Sequence, residues 1–523
     1  MKSLLPEKYH QSIYVFALAL LVIGMPLSKF LMSLAQIILV CNWGLEGNLK
    51  NKFISFWKNK PALILISLLI LHLVGLIYST DLNYAFKDIR IKGPLLILPL
   101  ILSTSKRPSK KTFENILFVF IASIVLGTII SILLLTGIIH RQIIDVRNIS
   151  IFISHIRFAL LICVAIMVSA YFFFYANDKI KKYAWASVII WLCTFLVIME
   201  SLTGLSVLTI TTFIIGTYFV LKSTKPIFKY AYLLSISILL ASTYIYINSE
   251  FKKINIQAEK VNLNALINFT SHGNRYQHNL NNNQYENGNL IWIYVCENEL
   301  EQSWNLRSSI RYNTKDLKGN ELRYTLIRFL TSKGLKKDAD AVNSLTDGEI
   351  KAVERGAANV NNVNVSSLQG RLYSTLWEIN EYKKDGDANG HSLAQRFEYW
   401  KAAIGIIKNN LFIGVGTGDV QKSFDEQYSK SNSTLKKELQ LRSHNQYLSF
   451  AVAFGIIGLL WFLFTLFYPM FKLNMIFNFL YITFFIISLI SFFTEDTLET
   501  QAGVTFYAFF NSFFLFLQPR KEN

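Results

Sequence analysis

The chain has 523 residues, of which 52% are hydrophobic, 14% aromatic and only 16% charged. Soluble proteins carry about 25% charged residues, and the apolar residues here come in blocks of about 15–25, long enough to cross a bilayer core. A soluble enzyme is excluded and an all-α polytopic membrane protein is expected. The net charge of +18 does not mark a nucleic-acid binder, because most of the basic surplus lies in short connections between apolar blocks, the positive-inside pattern.

In chain order, spans are expected near 12–25, 28–43, 61–79, 90–104, 114–138, 154–176, 183–200, 203–221, 228–247, 446–468, 474–493 and 502–518, about twelve transmembrane helices. Lys2 and Lys8 precede the first block with no A-x-A-like cleavage site, so the N-terminus reads as uncleaved. Pro94 and Pro99 interrupt the fourth span. A cytoplasmic N-terminus puts Lys50, Lys52, Lys58, Lys60, Lys106, Arg107, Lys110, Lys111, Lys179, Lys181, Lys182, Lys222, Lys225, Lys229, Lys472, Arg520 and Lys521 on the cytoplasmic side. The opposite face receives only Lys29, Lys87, Arg90, Lys92, Arg141, Arg147 and Arg157. Three domains follow: 1–247 with about nine helices, a large external loop at 248–445, and 446–523 with about three helices.

The long region is polar but too rich in aromatic and apolar residues for disorder. Residues 289–304 (NLIWIYVCENELEQSW) are expected to be buried, and Thr346–Glu349 and Ser392–Gln395 read as capping boxes, making the loop domain mainly helical. Residues 278–289 and 383–391 read as loops. Leu393, Phe397, Trp400, Ile404, Ile407 and Leu411 recur at helical spacing as one apolar stripe. Cys41, Cys163 and Cys193 lie in apolar blocks and only Cys296 in the polar region, so no loop disulfide follows. His272, His278 and His391 lack zinc-ligand spacing, and no metal is expected.

Candidate chemistry gathers between Arg396 and Leu460. Arg396 and Trp400 share a helix face, which fits either an arginine stacked on tryptophan or a guanidinium gripping a phosphate through two hydrogen bonds. Gly414, Gly416 and Gly418 form a loop that is either a tight turn or a source of N–H groups for an anion. His444, two residues after Arg442, stands where the chain enters a membrane helix; it is either an interfacial histidine or a base near pH 7. Arg157 sits at an outer helix mouth, as a snorkelling arginine or a second phosphate ligand. Glu495, Asp496 and Glu499 form an acidic outer turn that pairs with outer arginines or is solvated.

The ordered set R-x-x-x-W (396–400), G-x-G (414–416), H-N-x-Y-L (444–448) and F-G-I-I-G (454–458), with S-x-D-L-N-Y-A-F-K-D (79–88) and TEDTLETQAG (494–503), resembles the O-antigen ligase family of polytopic membrane glycosyltransferases, related to the O-antigen polymerases. The resemblance implies transfer of a glycan from undecaprenyl diphosphate to a lipid A–core or other glycan acceptor at the periplasmic face of a bacterial inner membrane. It implies no cofactor, metal or nucleotide sugar, and membrane lipids but no nucleic acid as partners. By motif position His444 is the family histidine, acting as base or positioning the acceptor, and Arg396 is the loop arginine on the diphosphate. Arg157 and Arg442 are the further diphosphate candidates.

Two features depart from the family pattern. Many members carry an arginine where this chain has Leu202, in Ser201-Leu202-Thr203-Gly204, and the insertion at about 272–391 is longer than in a minimal member. The alternatives are a polymerase, a protein-glycosylating transferase and, from another class, a polysaccharide transporter or flippase. Transporters place ionisable groups at mid-membrane, whereas here they gather at one face. The topology is checked by a dual reporter fused at Lys383: alkaline phosphatase is expected to be active there, and activity only of a cytoplasmic reporter would refute the orientation.

Overall fold

The computed structural model describes residues 6–141, 146–254, 266–282, 284–363, 367–389 and 391–519. Lys2, Arg520 and Lys521 of the charge count lie outside these, as do Asn283 and Gly390 of the two expected loops. The described residues are mainly helical, with one two-stranded antiparallel ladder pairing Tyr285 with Leu290 and Glu286 with Asn289.

Seven helices among the described residues are long and apolar enough to cross a membrane: Glu7–Leu27, Lys110–Leu135, His155–Tyr175, Lys179–Ile198, Leu202–Lys222, Pro226–Lys252 and Gln446–Lys472. Lys29–Leu45 and Leu49–Lys58, bent by 111°, would make an eighth if they form one span. Lys60–Gly75, Phe479–Thr494 and Gln501–Leu517 are apolar but shorter. The expected span at 90–104 divides into Leu82–Lys92 and Pro94–Thr104, of 11 residues each. Pro94 opens the second piece at a position where its missing N–H costs nothing. The first piece is held outside any apolar run by Asp88 and Lys92, four apart and ion-paired at 2.6 Å. Helix starts follow local chemistry: Ser28, Asn59, Asp81, Ser109, Asn445, Asn478 and Thr500 each accept a backbone N–H in the first turn.

The helix Gln446–Lys472 is broken at Gly455, whose φ of 64° and ψ of −166° no helix allows. The break orphans carbonyls and N–H groups in an apolar setting, where each would be costly. The segment 411–416 supplies their partners. Val415 N donates to Val452 O at 3.0 Å and Gly416 N to Ala453 O at 2.8 Å. In return Ile456 N donates to Leu411 O at 2.8 Å. The contact is backbone against backbone: a Cβ on Gly455 would meet Phe412 carbonyl atoms at 2.3 Å, and one on Gly414 would meet Ala453 C at 2.4 Å.

The chain forms two compact units: Met1–Arg141, Arg147–Phe219 and Asp387–Asn523 make one, and Gln142–Val146 with Val220–Gly386 the other. The hydropathy boundaries at 247 and 445 do not coincide with these divisions. Residues 387–445 belong with the first unit's helices, and Pro226–Ile254 with the second unit. The second unit is a small helical body around Leu300, Trp304, Tyr312, Leu326, Phe329 and Leu330, all 0–1% exposed. Ile291, Ile293, Val295 and Cys296 from 289–304 are buried as expected. The Thr346–Glu349 capping box forms, with Thr346 N to Glu349 Oε2 at 2.9 Å and Glu349 N to Thr346 Oγ1 at 3.3 Å.

Two local expectations are corrected. Ser392 is the first helical residue rather than the cap, and the Gln395 side chain accepts from Tyr399 OH at 3.2 Å. The buried face of that helix is Ala394, Tyr399, Ala402, Ala403 and Ile406, while Ile404 and Leu411 of the expected stripe are each 47% exposed. Leu393, Phe397, Trp400 and Ile407 of the stripe are half-buried.

Gly455→Ala is expected to lower the thermal midpoint of the solubilised protein clearly, since overpacking alone costs about 1–3 kcal/mol and the left-handed backbone adds about 1–2 kcal/mol. Gly44→Ala, at a helical site where a Cβ meets nothing within 4 Å, is the control and is expected to leave the midpoint unchanged or slightly raised.

Candidate functional site

The site is built on the turn between the helices Phe479–Thr494 and Gln501–Ser512. Gln446, fully buried, clamps this turn from the neighbouring helix: its Oε1 accepts from Leu498 N at 2.7 Å and its Nε2 donates to Glu499 Oε1 at 3.1 Å. The turn thereby presents Glu495, Asp496 and Glu499, each of which meets a cation.

These groups join into one chain of alternating charge. Arg396 donates through Nη1 to Thr494 O and through Nη2 to Glu495 Oε1, both at 2.6 Å. His444 Nδ1 lies 3.7 Å from Glu495 Oε2 and 3.6 Å from Asp496 Oδ1. Arg442 approaches Asp496 at 3.7 Å and Glu499 at 3.2 Å, and donates to Tyr84 OH at 3.0 Å. Lys92, 0% exposed, donates to Glu499 Oε2 at 3.0 Å and Asp88 Oδ1 at 2.6 Å, and Asp88 Oδ2 faces His72 Nδ1 at 3.2 Å.

His444 is held by strain and by its neighbours. Its φ of 46° is left-handed, a conformation uncommon for a residue with a side chain and kept only where the surroundings fix it. Ser443 and Asn445 on either side are buried and anchored. Ser443 O accepts from Trp400 Nε1 at 3.0 Å, and Asn445 Nδ2 donates to Phe493 O at 3.0 Å. The imidazole is thus aimed at the acidic turn. Burial favours its neutral form, but Asp496 and Glu495 outweigh burial and raise its pKa from 6.5 to about 9. Burial alone would likewise raise the Asp496 carboxyl, yet His444, Arg442 and Arg157 hold it below the usual carboxylate range. At neutral pH His444 is an imidazolium, which donates hydrogen bonds and has no lone pair for a proton.

Of the sequence-predicted residues, Arg396, Arg442 and His444 converge directly on the acidic turn. Arg157 joins them through its charge on Asp496. It donates to Ser154 Oγ at 3.0 Å, and its buried Nε has no partner among the described residues. Trp400 is engaged through its ring nitrogen on Ser443 O rather than waiting for a ligand. The three loop glycines do not offer free donors. Gly414 N reaches Asn410 O at 3.1 Å, Gly416 N reaches Ala453 O at 2.8 Å, and Gly418 N reaches Ser79 Oγ at 2.8 Å. The loop is a backbone plug for the broken helix, which corrects the anion-cradle alternative. It ends in Asp419, which binds Thr80 N at 2.8 Å and Asp81 N at 3.0 Å and so fixes the start of Leu82–Lys92.

His444, Glu495 and Asp496 offer ligand atoms within 4.8 Å of one another. The arrangement fits a divalent metal poorly, because Glu495 already answers Arg396 and Asp496 answers Arg442 and the imidazolium. Sequence reasoning assigned no role to His72, Tyr84 or Asp88. Their signals were present: a polar residue inside the apolar run 61–79, and an aspartate four residues before a lysine.

Residues 355–463 match the model of the family described as O-antigen ligase. The matched stretch holds Arg396, the glycine loop, Arg442, His444 and the helix break at Gly455, while the acidic turn and Leu82–Lys92 lie outside it. A comparison with curated proteins gives no match.

The raised pKa of His444 sets a pH dependence. A group whose folded pKa lies above its unfolded value stabilises fully below the latter. The His444 contribution is therefore complete below about pH 6.5, declines above it and is gone past about 9. The thermal midpoint of wild type minus that of His444→Gln is expected to follow this curve. A difference that grows with pH would contradict the ion pairing.

Proposed function

We propose that this multi-pass membrane chain, which carries the O-antigen ligase family domain over residues 355–463, transfers a glycan from undecaprenyl diphosphate to lipid A–core or a similar glycan acceptor at the periplasmic face of a bacterial inner membrane. The observation that carries this reading is the gathering of Arg396, Arg442, Arg157 and His444 around one turn. Such a set suits a diphosphate leaving group. The acceptor hydroxyl attacks the anomeric carbon, the bond from that carbon to the diphosphate oxygen breaks with inversion, and the diphosphate leaves with the electron pair and takes up the hydroxyl proton. Cations placed on the leaving oxygens stabilise the charge that develops there, so the reaction requires no metal. The Lys/Arg asymmetry supports the periplasmic side.

His444 enters this reading as a cation that donates to a phosphate or acceptor oxygen, not as the resting base. Arg396 enters with both terminal amino groups already engaged, so a phosphate reaches it by displacing Glu495 or Thr494 O. Lysine in its place keeps the charge but loses the planar fork.

Transfer by purified protein from an undecaprenyl-diphosphate-linked oligosaccharide to lipid A–core tests the reading. His444→Ala is expected to lose about 10²-fold or more in rate, while His444→Gln, which can still donate, retains at least about tenfold more than Ala. Arg396→Lys and Arg157→Lys each lower transfer by about tenfold, and EDTA leaves wild type active. Normal transfer by both lysine variants would refute the diphosphate role. In cells, loss of a ligase leaves the core without polymer, whereas loss of a polymerase leaves the core with one repeat.

A further inference from the structure

The proposed transfer does not use the helix Leu49–Lys58. This helix follows Lys29–Leu45 across a bend of 111°, which Gly47 and Asn48 build with left-handed φ values of 77° and 54°. Glycine and asparagine adopt this backbone most readily. The 17 residues of Lys29–Leu45 already reach about 25 Å, most of a hydrocarbon core of about 30 Å. A bend past a right angle turns Leu49–Lys58 across the end of that helix rather than onward. Asn59 then starts the next helix at once, accepting from Ala62 N at 3.3 Å.

Leu49–Lys58 divides into three faces. Lys52 and Phe56, four apart, turn to the protein and are 9% and 7% exposed. Lys52 donates to Trp43 O and Glu46 Oε2, both at 2.7 Å. Phe53 and Trp57, also four apart, form a second face with Ile54 beside them, and these side chains are 43–69% exposed. Asn51, Ser55 and Lys58 form a third face, polar and exposed. Water is a poor medium for the second face, where a phenyl and an indole ring stand side by side. Lys50 and Lys60 are exposed as well. Glu46 is the one carboxylate between Leu45 and Lys60, and Lys52 takes it. Lys50, Lys58 and Lys60 therefore add positive charge around the apolar face with no local carboxylate left to balance it.

We propose that Leu49–Lys58 lies in the membrane surface with Phe53, Ile54 and Trp57 among the acyl chains, while Lys50, Lys58 and Lys60 bind the headgroups of anionic phospholipids. Interfacial helices divide apolar from basic side chains in this way, and basic residues beside a bilayer attract anionic headgroups. The next helix, Lys60–Gly75, begins at this surface, and its last turn carries His72, which faces Asp88 of the charge chain at 3.2 Å. Lys60–Gly75 thus has the lysines at one end and the charge chain at the other. The headgroups engaged belong to the leaflet away from the candidate site. The inference is independent of the glycan-transfer reading.

The full chain in nanodiscs holding one copy, made of phosphatidylcholine with or without phosphatidylglycerol, tests the proposal. In hydroxyl-radical footprinting read by mass spectrometry, Trp57 is expected to escape oxidation, while Tyr324, 41% exposed in the polar region, is oxidised. Native mass spectrometry then counts the lipids that stay bound after release from mixed discs. Lys50→Gln, Lys58→Gln and Lys60→Gln combined are expected to lower the preference for phosphatidylglycerol at least about fivefold. The same change at Lys179, Lys181 and Lys182, exposed lysines of another connection, is expected to leave it unaltered. Oxidation of Trp57 as full as that of Tyr324, an unaltered preference in the first variant, or an equal loss in both variants would overturn the proposal.

Discussion

The structure around the site depends on one electrostatic constraint: charges buried at one end of the helices must be compensated by one another. Asp88, Glu495, Asp496 and Glu499 are each 10% exposed or less. Arg396, Arg442, Lys92 and a protonated His444 face these four carboxylates, and Arg157 adds its charge at Asp496. This accounts for the high pKa of His444 better than any single contact does. Removing one partner from such a set leaves an uncompensated buried charge, at a cost of about 3–5 kcal/mol. The ion pairs therefore hold the helices Leu82–Lys92 and Ser392–Asn409, the start of Gln446–Lys472 and the turn 494–500 in one arrangement.

The backbone obeys a parallel constraint. A helix broken at Gly455 survives among apolar residues only because the segment 411–416 supplies its missing hydrogen bonds. That segment runs on to Thr417, which donates to His72 O at 2.7 Å, and to Gly418 and Asp419, which bind Ser79 and Thr80. Glycine at 414, 416 and 418 is thus tied to close backbone approach. The loop places Leu82–Lys92, and hence Tyr84 and Asp88, against Arg442. The glycines serve the site by positioning a helix rather than by touching a ligand.

Much of this was legible from the residues. Apolar blocks marked the seven helices long enough to cross a membrane, though twelve were expected, and the first capping box was readable because it is local. Arg396, Arg442 and His444 could be singled out because charged residues beside apolar runs are costly and few. The rest depended on contacts that no local pattern encodes. Glu499 and Lys92 are 407 residues apart, and nothing in either neighbourhood announces the pairing. The span at 90–104 misled because hydropathy averages over Lys92, whose charge is hidden by burial against two carboxylates. The stripe from Leu393 to Leu411 held only in part, with Ile404 and Leu411 exposed, because periodicity finds an apolar face but does not say whether protein or another medium covers it. His444 could be read as a base because its unperturbed pKa is near neutral; only the proximity of Glu495 and Asp496 changes that.

Charge balance also bears on how a diphosphate would enter under the proposed reading. It brings at least two negative charges beside carboxylates that already engage Arg396 and Arg442. Arg157 is the first available partner, since its Nε is buried and unpaired among the described residues. Arg396 and Arg442 become available only as Glu495 and Asp496 release them, so those carboxylates act as internal competitors that occupy the arginines until donor arrives. A phosphate beside His444 favours the imidazolium further, for the same reason the two acids do. Donor binding and His444 protonation are then coupled in the positive sense, and His444 is least able to accept a proton when the donor is in place. The acceptor hydroxyl must deliver its proton to another group or to the departing phosphate.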